Sequence, residues 1–213
     1  MIKNLFNVPV FHGKLVDNKR HVAHLKQVAE DVKKETDDMT NLPWNCHVWS
    51  TYAYDSQLFK RKQFHSVAMD ISSQVKEYAI ERGWKHDPNE LIMTNMFLNY
   101  QTKYQYQEYH DHRECIISGV FYIEVPDEEN MEIMLYTPLK ANYDDIFFDS
   151  DDAQEVIKIK PQTGDILIFP SWLNHGVMSH TSDTTRISIA FNFASKEMRS
   201  IFDYENIMYK KDH

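Results

Sequence analysis

The chain has 213 residues, is 42% hydrophobic and 26% charged, and carries a formal net charge of −9. Such a composition suits one soluble domain with a substantial core, and the acidic balance excludes a general nucleic-acid binder, whose affinity comes from neutralising phosphates. No stretch offers the ~20 uninterrupted apolar residues of a membrane span, the first residues lack the order of a signal peptide, and Cys46 and Cys115 are too few for a disulfide framework. A cytoplasmic protein without a membrane partner is expected.

Residues 2–15 alternate enough for an edge strand, and Pro9 fits only an edge or a strand end, because proline has no N–H for the ladder. Asp17 or Asn18 can cap a helix whose Val22, Leu25, Ala29 and Val32 form one apolar stripe. A loop with Pro43, Trp44 and Trp49 follows. Lys60-Arg61-Lys62 reads as a solvated face at the start of a second helix. There Phe64, Val67, Ala68, Ile71, Val75, Tyr78 and Ala79 recur at spacings of three and four until Gly83. Both helices read as scaffold, with His21, His24 and His65 on their surface.

From Leu91 the pattern changes to short strands over 91–100, 116–125, 131–136, 156–159, 165–169, 175–178 and 185–193, separated by turns rich in proline, glycine, aspartate and asparagine. Gly164 stands where a turn calls for a positive φ. The segment 137–155, with Asp144-Asp145 and the acidic run from Asp149 to Asp152, reads as a solvent-exposed insertion. The expected organisation is a single domain over 1–213: an N-terminal strand and helical scaffold (1–90), a β core (91–194) and a C-terminal tail (195–213).

The chemistry concentrates in that core. On a strand, residues i and i+2 share a face, so His110 and His112 present two imidazoles to one ion while Asp111 points away. A third ligand must come from a remote strand, and His175 is available for it. Three ligands on one side leave an octahedral ferrous ion open to a bidentate keto acid and dioxygen. Arg186 and Ser188 share a face of the alternating stretch from Thr185 to Phe191. A planar guanidinium binds a carboxylate bidentately at any relevant pH, and the serine adds a hydrogen bond. Together they suit the distal carboxylate of 2-oxoglutarate. Tyr100, with Asn99 and Tyr104, precedes the metal motif and is a candidate for lining the co-substrate pocket, although aromatic strand residues more often belong to the core. Among 11 histidines a chance i, i+2 pair is unremarkable. The ordered set of pair, strand, turn, third histidine and arginine carries the reading.

His110-Asp111-His112, Ser118-Gly119-Val120-Phe121-Tyr122, the run from Gly164 to Leu173, His175, and the run from Arg186 to Asn192 resemble the 2-oxoglutarate and Fe(II)-dependent oxygenases common in bacterial and bacteriophage genomes. The resemblance implies a mainly β fold with flanking α: a double-stranded β-helix, jelly-roll and cupin-like, with the N-terminal helices packed on one face. It implies Fe(II) held by His110, His112 and His175 as catalytic metal ligands, with 2-oxoglutarate anchored by Arg186. The implied reaction is C–H hydroxylation with dioxygen, releasing succinate and carbon dioxide.

One departure matters: the wider superfamily carries His-x-Asp or His-x-Glu, and this chain carries His-x-His. Three ligand sets stay open. His110 with His112 is preferred; His112 with Glu114 would restore a carboxylate; Asp111 would need a bulge or turn to reverse its direction. Two other function classes stay open as well, a three-histidine cupin-type dioxygenase that does not use 2-oxoglutarate and a non-catalytic metal-binding module. Arg186-x-Ser188 favours the 2-oxoglutarate reading over both. Cys115 reads as a packing residue. The prime substrate is expected to be a small molecule or peptide rather than nucleic acid, and edge strands would permit a homodimer.

Overall fold

The computed structural model describes residues 7–35, 48–126, 131–138 and 154–198. Residues 2–6, Pro43, Trp44, Cys46, the acidic runs of the 137–155 segment and the tail beyond residue 198 lie outside the described residues. Helix α1 (Asn18–Glu35) buries Leu25, Val28, Ala29 and Val32, and α2 (His65–Glu81) buries Val67, Ala68, Ile71, Val75, Tyr78 and Ala79. Both stripes follow the spacing of three and four. Gly83, with φ of 80°, takes the left-handed conformation just past α2.

Two expectations about the helices need correction. His21 is buried, because it stands four residues before Leu25 on the same stripe, and its Nε2 lies 2.6 Å from Asp70 Oδ2 on α2. His24 and His65 are exposed, as expected. Lys60-Arg61-Lys62 does not open the α-helix but runs through two 3₁₀ turns, Leu58–Lys60 and Lys62–Phe64. Arg61 there donates from Nε to Asp55 at 2.8 Å and from NH1 to Glu35 at 2.9 Å, fastening the end of α1 to this turn.

The strands form two antiparallel sheets. The larger has the order β1 (Phe11–Lys14), β8 (Asp165–Pro170), β5 (Ile117–Glu124), β10 (Arg186–Ser195), β3 (Leu91–Gln101), β2 (Trp49–Ser50). The smaller has the order β4 (Gln107–His110), β9 (His175–Val177), β6 (Ile133–Tyr136), β7 (Val156–Ile159). The N-terminal strand is at an edge, as Pro9 requires, but starts only at Phe11. The sequence pattern did not announce β2 and β4. One has two residues, and the other carries a register shift between Gln107 and His110.

Strand parity divides the large sheet into two chemistries. Its outer face sets Met96, Leu98, Tyr100, Phe121, Ile166, Ile168, Ile189, Phe191 and Phe193 against the two helix stripes in one apolar layer. The inner face sets Tyr122, Leu167 and Phe169 against Ile133, Leu135 and Val177 of the small sheet in a second layer. Each large apolar side chain fully removed from water contributes about 2 kcal/mol. Two layers of short antiparallel strands, one facing helices and one facing the other sheet, make a double-stranded β-helix with its helices on one face. Among the described residues no helix is long and apolar enough to cross a membrane.

Gly119 on β5 marks the tightest backbone approach in this sandwich. A Cβ there would meet the Leu167 carbonyl oxygen and the Phe191 ring. The carbonyl belongs to a paired strand and has no room to retreat, so Gly119→Ala is expected to cost about 3 kcal/mol by overpacking. Urea unfolding measures this, and a stability equal to wild type would show that Phe191 swings aside.

Candidate metal and co-substrate site

His110 closes β4 and His175 opens β9, and the two are direct cross-strand partners, with ring centroids 4.3 Å apart. His112 lies beyond the end of β4, so strand parity alone does not aim it. Its backbone N–H donates to Ser171 O at 2.8 Å, and Ser171 belongs to the turn that leads into β9. This tie places the His112 ring 4.9 Å from His110 and 5.1 Å from His175. One nitrogen of each ring lies within 4.8 Å of the others.

The backbone also sets the tautomers. His110 Nδ1 is 2.7 Å from Glu108 O, and His175 Nδ1 is 2.9 Å from Leu173 O. A carbonyl can only accept, so each Nδ1 carries a proton, and in the neutral form of either ring the lone pair for an ion is on Nε2. Burial, and next the neighbouring His110, lower His112 to about 4. Burial likewise holds His175 well below the ordinary histidine range. Both are therefore neutral imidazoles at neutral pH, the form that binds metal. With His110 they bring three imidazole nitrogens around one point, which fits a divalent first-row ion.

The carboxylate alternatives do not join this cluster. Glu114 is exposed and outside it. Asp111 borders the same cavity, but its Oδ2 accepts from Arg113 Nε at 2.8 Å. Glu114→Gln is accordingly expected to leave Fe(II) affinity unchanged in an anaerobic titration. A loss of about tenfold or more, the scale of a disturbed metal shell, would return Glu114 to the ligand set.

The histidines line a cavity of about 290 Å³ between the sheets, and β3 and β10 supply Asn99, Gln101, Arg186 and Ser188 to the same cavity. Arg186 pairs across the ladder with Gln101, and Ser188 with Asn99. The guanidinium is buried, donates from NH1 to Met131 O at 3.3 Å and stacks 5.7 Å from the Tyr122 ring centre. Its Nε has no partner, and among the described residues it has no carboxylate neighbour. Burial lowers its pKa from an ordinary value so high that the charge is kept. A buried cation without a counter-ion costs several kcal/mol, so this group fits a bound anion. In the same lining, Ser118 Oγ donates to Asn192 Oδ1 at 2.7 Å and lies 2.7 Å from Ser171 Oγ, linking β5, β10 and the turn before His175.

Tyr100 does not join the pocket, which corrects its candidacy. Its side chain faces the helices, where its hydroxyl donates to Glu30 at 3.3 Å, Trp49 packs edge-on at 5.0 Å and Lys33 Nζ lies 4.3 Å from the ring centre. Tyr104 is also outside the lining, exposed on a turn with φ of 64°. Phe97, Asn99 and Gln101 occupy the inward parity instead. Asn99 was foreseen; the signal for Gln101 was the alternation of polar 99 and 101 with apolar Met96, Leu98 and Tyr100.

Structurally this is a double-stranded β-helix with a three-histidine cluster between its sheets. Similar solved structures include HygX from Streptomyces hygroscopicus with nickel, 2-oxoglutarate and hygromycin B bound, at 12% identity and TM-score 0.62, covering 89% of this chain and 84% of that one. A Pseudomonas putida prolyl-4-hydroxylase shares 13% identity at TM-score 0.58, covering 88% and 94% of the two chains. AviO1 from Streptomyces viridochromogenes Tue57 shares 13% at 0.56, covering 89% and 90%. At these identities the likeness concerns the fold. No curated protein sequence matches the chain. Residues 95–192 match the family model described as "Putative 2OG-Fe(II) oxygenase", a span that holds all three histidines, Arg186 and Ser188. In that segment the chain is similar to the 2-oxoglutarate- and Fe(II)-dependent oxygenases.

Proposed function

We propose that this chain is a non-haem Fe(II)- and 2-oxoglutarate-dependent dioxygenase that hydroxylates a C–H bond of a small molecule or peptide and releases succinate and carbon dioxide. The observation that carries the reading is Arg186, a buried guanidinium with no anionic neighbour among the described residues, in one cavity with three convergent imidazoles. His110, His112 and His175 would hold the iron, and Arg186 with Ser188 would hold the distal carboxylate. Bound iron and 2-oxoglutarate would supply dioxygen activation and the two electrons that accompany substrate oxidation.

The chain's own part is positioning. Glu108 O and Leu173 O fix two imidazoles in the binding tautomer before any ion arrives. Arg186 sets the register of the dicarboxylate, and Met131 O and the Tyr122 ring hold the guanidinium in turn. Tyr122, Leu167 and Phe169 close the interior of the sandwich to water. That strengthens every charge interaction in the site.

Anaerobically purified protein given Fe(II), dioxygen and 2-oxoglutarate is expected to form succinate, slowly without a prime substrate and faster with one. A three-histidine enzyme that needs no 2-oxoglutarate would oxidise its substrate without forming succinate. A metal-holding module would turn over nothing. The absence of both 2-oxoglutarate binding and succinate would overturn the proposal.

A further inference from the structure

Glu108 and Asp111 flank His110 in sequence and line the same cavity as the three histidines. Among the described residues of that lining they are, apart from Arg186, the charged ones, and none is a lysine. Asp111 is 15% exposed at its side chain and is held on one oxygen by Arg113. Glu108 has no ion pair among the described residues. Tyr52 and Phe97 add aromatic surface to the lining, packed edge to face at 5.0 Å, with Tyr52 reaching solvent.

The unpaired hydrogen-bonding capacity of the cavity has the same bias. Asn99 Oδ1 and Gln101 Oε1 are buried without partners. Gln101 is only 2% exposed, and its orientation is fixed because Nε2 donates to Gln105 O and Met178 O, both at 2.8 Å. Once Arg186 is engaged by the co-substrate, these groups need donors. Buried acceptors without donors cost free energy, so a donor-rich ligand relieves what the empty wall cannot. When metal-bound imidazoles carry no charge, Fe(II) and doubly charged 2-oxoglutarate cancel formally, and the single positive charge of Arg186 is outweighed by Glu108 and Asp111 together. The two carboxylates then dominate the charge offered to a prime substrate.

Resting on the oxygenase reading above, we propose that the prime substrate presents a cationic nitrogen, a primary ammonium or a guanidinium, to Glu108 and Asp111. The Tyr52 and Phe97 rings lie along the stem that carries it. Carboxylates attract the charge, and aromatic faces add a cation–π contribution while accepting an aliphatic stem. An anionic substrate would meet Glu108 and also compete with 2-oxoglutarate for Arg186. Discrimination here comes from repulsion as much as attraction.

The test uses wild-type protein loaded with Ni(II) and saturated with 2-oxoglutarate, titrated calorimetrically with probes matched in shape. These are acetyl-arginine amide against acetyl-citrulline amide, acetyl-lysine amide against its Nε-acetylated form, and acetyl-glutamate amide. The cationic member of each pair is expected to bind at least about tenfold tighter. Glu108→Gln should narrow that ratio to about threefold or less, and Glu108→Lys should reverse it in favour of the glutamate probe. Equal binding within the pairs, or no binding by any cationic probe while 2-oxoglutarate still binds, overturns the cationic-substrate proposal. Failure of 2-oxoglutarate itself to bind the nickel-loaded wild type overturns the oxygenase reading instead.

Discussion

Arg186→Met is expected to weaken 2-oxoglutarate binding several-hundred-fold while leaving Fe(II) affinity unchanged. Removing one partner of a buried, hydrogen-bonded charge pair costs about 3 to 5 kcal/mol, and each 1.4 kcal/mol is about tenfold. Anaerobic titration, read from the absorption band that appears when a keto acid chelates ferrous iron, gives the number. Without ligand the sign should reverse. The guanidinium is buried with an unpartnered Nε and no carboxylate nearby among the described residues, and methionine fills a similar volume without charge. The ligand-free variant should then be as stable as wild type or more stable, by about 1 to 4 kcal/mol. Gained stability with lost co-substrate affinity marks a group retained for binding. Arg186→Lys should fall between the two, since it keeps the charge and loses the fork. Wild-type affinity in Arg186→Met would remove the proposed co-substrate anchor.

His175→Ala is expected to lower Fe(II) affinity by at least about 100-fold and to abolish succinate formation. Disturbing a residue that merely orients a ligand already costs 10- to 100-fold, and losing a ligand should exceed it. The fold should survive. His175 borders a cavity, so truncation enlarges an existing space instead of hollowing a close-packed layer. Far-UV circular dichroism and urea unfolding separate the two effects. His110→Ala should behave alike, because it is the direct cross-strand partner. Normal iron stoichiometry in either variant would take that histidine out of the proposed triad.

Much of this was legible in the sequence because long, regular periods leave strong signals. The stripe of α2 appeared residue by residue, and Gly164 does adopt a positive φ, at 85°. Arg186 and Ser188 face inward together because β10 stays in register with β3 there, although its pairing with β5 shifts between Ile187 and Ser188. The failures are equally physical. Four-residue β4, Gln107-Glu108-Tyr109-His110 with a register shift, has no alternation to read. His112 is aimed by a hydrogen bond to a turn far along the chain, which no local period encodes. The Tyr100 misassignment was avoidable. Apolar Met96, Leu98 and Tyr100 share one parity, and Asn99 and Gln101 hold the other. His21 too stood on the stripe of Leu25, Val28 and Val32.

A crystal structure grown anaerobically with Fe(II) and an inert analogue of 2-oxoglutarate tests the central claim most directly. The account predicts iron on Nε2 of His110, His112 and His175, no protein carboxylate in the metal shell, and the distal carboxylate of the analogue paired with Arg186 beside Ser188. Iron held by Glu114 or Asp111, or an analogue whose distal carboxylate lies away from Arg186, would contradict it.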